Sequence, residues 1–168
     1  MKPIRRAELE GMLDRLLPEW EEMGGWTYNV FFGSSYLRLG AGESIAVLHA
    51  ATAIALAHFQ PQLVHVFHDG LAAWRTRWRG NRGYCCASPG EAIRLIEAEA
   101  FFRDPNQKAD NYNIIGETGE WMITYCHEDD WFLFAPQSDL DILAQLIPKA
   151  SRYAATKSNQ PLLRTDLP

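Results

Sequence analysis

The hydrophobic positions change period several times along the chain, and each change predicts an element. Leu9, Met12, Leu13, Leu16 and Leu17 recur at helical spacing through Ala7 to Leu17, with Glu8, Glu10, Asp14 and Arg15 between them and Pro18 after them. That pattern predicts an amphipathic first helix. From Trp26 to Leu39 the chain is rich in aromatic and β-branched residues and is broken at Gly33-Ser34-Ser35, which predicts two short strands in a hairpin. Ser44 to Phe59 is apolar nearly all round and reads as a central buried helix. It is too short for a membrane span. Leu63 to Phe67 predicts a strand, His68-Asp69-Gly70 a turn, and Leu71 to Arg79 its returning partner.

Ser88-Pro89-Gly90-Glu91 carries the sharpest local signal, a capping serine, a proline at the first helical position and a glutamate three residues after the cap. A helix is expected from Pro89 to about Phe102. Tyr112–Ile115, Glu120–Cys126 and Trp131–Phe134 are three apolar segments parted by Gly116-Glu117-Thr118-Gly119 and His127-Glu128-Asp129-Asp130, the signature of a β-meander. Ser138 with Asp141 resembles a second capping pair, opening a last helix that Pro148 closes. The expected fold class is therefore α+β: a single domain over residues 1–148, with an antiparallel sheet and a C-terminal β-meander packed against helices. Residues 149–168, small and polar with two prolines, are expected to form a partly mobile tail.

Composition narrows the class. The chain has 168 residues, 47% of them hydrophobic and 12% aromatic, enough to bury a core. Sixteen Lys and Arg against 21 Asp and Glu give a net charge of −5, which disfavours nucleic acid and anionic membranes and favours a basic partner. Three cysteines, two of them adjacent, fit a reducing cytoplasm better than a disulfide scaffold, and the N-terminus lacks the apolar stretch of a signal peptide.

Several groups invite a chemical reading. His49, His58, His65 and His68 fall close together, but nine residues on a helix or three on a strand set such pairs on opposite faces, and neither CxxC nor HExxH spacing is present. No metal and no cofactor is expected. Trp74 to Arg79 alternates, with Arg75, Arg77 and Arg79 on one strand face. Such a guanidinium row suits phosphate or a nucleic-acid backbone, or serves simply as a solvated face. Arg38-Leu39-Gly40-Ala41-Gly42, between a strand and a helix, resembles the pyrophosphate loop of CoA-dependent N-acetyltransferases, with its arginine one residue closer to the first glycine. This keeps a small transferase or nucleotide- or CoA-binding enzyme using Gly40 to Gly42 as an alternative. There is no Gly-x-Ser-x-Gly elbow and no catalytic cysteine signature, so no catalytic residue is assigned.

The remaining pattern is acidic and aromatic. Glu117, Glu120, Glu128, Asp129 and Asp130 sit in or beside the turns of the meander, interleaved with Trp121, Tyr125, His127 and Trp131. Carboxylates steer a basic partner and aromatic rings anchor an interface, so these nine residues are the expected partner-binding site. Asn111 to Pro136, NYNIIGETGEWMITYCHEDDWFLFAP, resembles the SMI1/KNR4-like immunity superfamily, small acidic bacterial proteins that partner polymorphic toxins. The resemblance implies an α+β protein that binds a cognate toxin enzyme without catalysis. It assigns no role to any single residue.

Overall fold

The structure, a computed structural model, describes residues 2–16, 22–23, 27–28, 35–40, 42–69, 81–86, 88–98, 111–125 and 130–153. In chain order the elements are β1 (Lys2–Arg5), α1 (Arg6–Leu16), β2 (Glu22–Met23), β3 (Thr27–Tyr28), β4 (Tyr36–Leu39), α2 (Ile45–Phe59), β5 (Val64–Asp69), β6 (Asn81–Cys86), α3 (Pro89–Ala98), β7 (Asn111–Gly116), β8 (Met122–Tyr125), β9 (Trp131–Phe134), α4 (Gln137–Leu146) and β10 (Ser151–Tyr153). Eight strands form one antiparallel sheet in the order β1-β6-β5-β7-β8-β9-β4-β10, and β2 pairs with β3 apart from it. The fold is α+β, and the meander β7-β8-β9 lies in the middle of the sheet.

Helices cover both faces. Alternate residues of the strands, among them Leu37, Val66, Ile114, Ile123, Tyr125, Trp131 and Leu133, face Leu48, Ala51, Ala55 and Leu56 of α2, Ala92 and Leu95 of α3, and Leu140 and Leu143 of α4. The intervening residues Phe67, Ile115, Met122, Phe132 and Phe134 join Ile4 of β1 and Leu9, Met12 and Leu13 of α1 on the opposite face. A strand enclosed on both faces has no solvated side to alternate toward, which is why Met122–Tyr125 and Trp131–Phe134 are buried at every position.

Helix α2 places Leu48, Ala51, Thr52, Ala55 and Leu56 on the sheet, and turns Ala46, Ala50, Ala53 and Ala57 to solvent. It is therefore a one-sided helix rather than a fully enclosed one, the alanines having made it look apolar all round. Ser88 caps α3 as expected, its Oγ accepting the Glu91 backbone N–H at 3.3 Å. Helix α4 opens one residue before Ser138, with Pro136 at the cap position and no side-chain cap bond.

Long-range pairing changes three expectations. The hairpin read over Trp26–Leu39 is not formed by β3 and β4: Thr27–Tyr28 pairs back to Glu22–Met23, whereas Tyr36–Leu39 runs between β9 and β10. Strand β5 continues through the expected turn to Asp69, and pairs with Asn81–Cys86 on one side and β7 on the other. Leu71–Arg79, with Arg75, Arg77 and Arg79, lies outside the described residues. Ser151–Tyr153 of the expected tail is an edge strand on β4, and Tyr153 stacks on Tyr36 at 4.9 Å between ring centroids. Residues 154–168 lie outside the described set.

Where β7 turns into β8, two glycines set the approach of their neighbours. A Cβ on Gly116 would sit 2.6 Å from the Trp121 indole nitrogen, and one on Gly119, at φ +72°, would sit 3.1 Å from the Met12 backbone. Arg15 Nε donates to the Thr118 carbonyl at 3.1 Å, so α1 and this turn hold each other.

Candidate functional site

The register brings one end of the sheet together. Leu39, Trp131, Tyr125, Tyr112 and His68 lie in one row, with Asp69 opposite Asn111 beside it. From this end the chain leaves β4 toward Gly40 and Gly42, leaves β5, enters β6 and β7, and passes from β8 to β9. A buried polar group lies on each face of the sheet here.

On the α2 face, the Trp131 indole N–H donates to Thr52 Oγ1 at 3.0 Å, and Thr52 Oγ1 shares a 2.5 Å hydrogen bond with the Tyr125 hydroxyl. The same hydroxyl meets His49 Nδ1 at 3.3 Å. His49 and Thr52 are three residues apart on α2, on the side that meets the sheet. The chain of polar atoms therefore runs from a half-buried imidazole to a fully buried indole, and fixes the position of α2 over β8 and β9.

On the opposite face, Arg38 Nη2 donates to Asp130 Oδ2 at 2.7 Å, and its guanidinium lies 5.8 Å from the centre of the Phe132 ring. Burial works against the Arg38 charge, yet the hydrogen bond and charge of Asp130, with a further bond to Tyr153, outweigh it and raise Arg38 above its ordinary value. Two strands along, Thr124 Oγ1 donates to Asn113 Oδ1 at 2.7 Å. Arg38 Nε, Asp130 Oδ1 and Asn113 Nδ2 are buried with no hydrogen-bond partner among the described residues.

The nine residues expected to bind a partner are thereby separated. Glu117 and Glu120 are exposed at the β7-β8 turn, and Thr118 Oγ1 donates to Glu120 Oε2 at 3.1 Å. Asp130 follows the β8-β9 connection at the other end of the sheet, roughly 13 Å away along the four residues of β8, and is 5% exposed in its ion pair. His127, Glu128 and Asp129 lie outside the described residues. Trp121, Tyr125 and Trp131 are buried, Trp121 stacked on Phe59 at 4.8 Å. These three rings correct the expectation of surface anchors, because the meander occupies the centre of a sheet with helices on both faces.

The glycine loop has a different setting from a phosphate cradle. Gly42 has a φ of +94°, Ser44 caps α2 without a side-chain bond, and the Glu43 carboxylate between them accepts two 3.0 Å hydrogen bonds from Lys149 Nζ. Among the described residues no three His, Cys, Asp or Glu side chains converge to hold a metal ion, and no helix is long and apolar enough to cross a membrane. No protein family, no curated protein and no solved structure matches the chain.

Sequence reasoning passed over Thr52 and the pairing of Arg38 with Asp130. Thr52 carried a usable signal, a hydroxyl three residues after a histidine within an otherwise apolar helix. The partners of Arg38 are set by strand order, which no local pattern encodes.

Proposed function

We propose that the chain is a non-enzymatic binding protein of the immunity or inhibitor type, acting in the bacterial cytoplasm to neutralise a cognate toxin enzyme of basic character. The observation that supports this reading is an apolar ridge on the outer layer. Ile142 and Leu146, one helical turn apart on α4, are 47% and 52% exposed, and Ile45 of α2 is 36% exposed. His58 meets Asp139 at 2.8 Å at one end of the α2-α4 pair and Lys149 meets Glu43 at the other, so the helices run antiparallel and Ile45 shares an end with Leu146. Asp141 with Arg152 and Glu43 with Lys149 give this ridge a charged rim. Apolar anchors with a polar rim suit a protein partner, and Glu117 and Glu120 add to the negative field that steers a basic one.

The test uses the whole chain carrying either Ile142→Asp with Leu146→Asp or Glu117→Lys with Glu120→Lys. Each protein is used to capture partners from its native host, and each captured partner is then expressed with and without the wild-type chain. The expected result is a basic enzyme that arrests growth alone, is silenced by the wild type, and is lost on the Asp variant with weaker, more salt-sensitive capture by the Lys variant. A captured protein whose toxicity the chain does not relieve, or capture unaffected by both variants, overturns the proposal.

A further inference from the structure

His65 sits in β5 between Val64 and Val66, which face α2, so its ring is on the face covered by α1, beside Phe67 and across from Ile115 of β7. It is 4% exposed, and neither ring nitrogen has a hydrogen-bond partner among the described residues. A neutral imidazole tolerates such a place at a cost; an imidazolium without a partner costs far more. The elements around it supply charge at a distance. The charges of Glu8, in the first turn of α1, and Glu117, in the β7-β8 turn, act on it, and both carboxylates are exposed. Its Cα partner on β6 is Cys85, and Lys2 of β1 follows next along the row.

The cover over His65 belongs to a packing cluster distinct from that of the other helices. Helix α1 has 11 residues and joins the sheet through Leu9, Met12 and Leu13, whereas α2, α3 and α4 pack on the other face. Opening α1 would let water reach the ring without disturbing the α2 network. It would also free the turn that α1 holds through Arg15 and Met12.

We propose that α1 is an acid-released latch: proton uptake by His65 opens α1 from the sheet and frees the turn that carries Glu117 and Glu120. The direction agrees with the electrostatics, because burial, outweighing the attraction of Glu8 and Glu117, lowers His65 below its ordinary value. The stability this neutral ring allows is present above the unfolded value of about 6.5 and is lost as pH falls through the folded value. The latch stands apart from the identity of any partner.

Hydrogen exchange on the full chain, corrected for intrinsic rates and compared at about pH 7.5 and about pH 5.0, reads the latch directly. The expected result is a loss of protection of about tenfold or more in α1 while α2 keeps its protection, with the α1 change abolished in His65→Gln. Replacing Glu8 and Glu117 together by Gln should leave the opening at the same pH or move it to higher pH, since both carboxylates favour the protonated ring while α1 is closed. Equal loss in α1 and α2, no loss in α1, or the same loss in His65→Gln overturns the latch. The comparison of α1 with α2 within the wild type decides the matter even if the His65 variant does not fold.

Discussion

The two faces of the sheet treat their polar groups in opposite ways. On the α2 face, Thr52, Tyr125, Trp131 and His49 form one connected set of hydrogen bonds. On the α1 face, both nitrogens of His65 and single atoms of Arg38, Asn113 and Asp130 are buried without partners among the described residues. A satisfied buried network fixes one arrangement of helix and sheet, since any other leaves donors bare. Unsatisfied groups carry a standing cost that a local opening relieves. The α2 face is therefore the rigid half of this protein and the α1 face the responsive half.

Three substitutions test this contrast by chemical denaturation. The largest effect is expected from Trp131→Ala, which empties a large buried site and removes the indole donor to Thr52; a loss of about 3–5 kcal/mol is expected. Thr52→Val keeps the shape but removes the hydroxyl that accepts from Trp131 and shares a hydrogen bond with Tyr125, and should cost about 1–3 kcal/mol. His65→Leu on the other face should have the opposite sign, a gain of about 1 kcal/mol near neutral pH, because it deletes two buried nitrogens that have no partner to lose. If His65→Leu destabilises as much as Thr52→Val, the contrast between the faces fails.

Much of the architecture was legible because it is local. The apolar spacing from Leu9 to Leu16 marks α1, the Ser88-Pro89-Glu91 cap marks α3, and the glycine turn after Ile115 marks the meander. The candidate site was far less legible. Trp121, Tyr125 and Trp131 alternate with carboxylates in the sequence, which reads as a surface, but the alternation came from turns at opposite ends of a short strand. Arg38 and Asp130 are 92 positions apart and meet because β4 runs beside β9.

What the sequence by itself determined is the set of elements and the α+β class, since capping, turn chemistry and hydrophobic period act over a few residues. Tertiary structure alone decided which strands are neighbours, and from that came everything specific to the site. Placing the meander between β5 and β4 enclosed its aromatic rings, joined Asp130 to Arg38, and set His65 beneath α1 without a hydrogen-bond partner among the described residues. The reason is physical: strand order follows from burying two apolar faces at once, a constraint on the whole chain that no single segment carries.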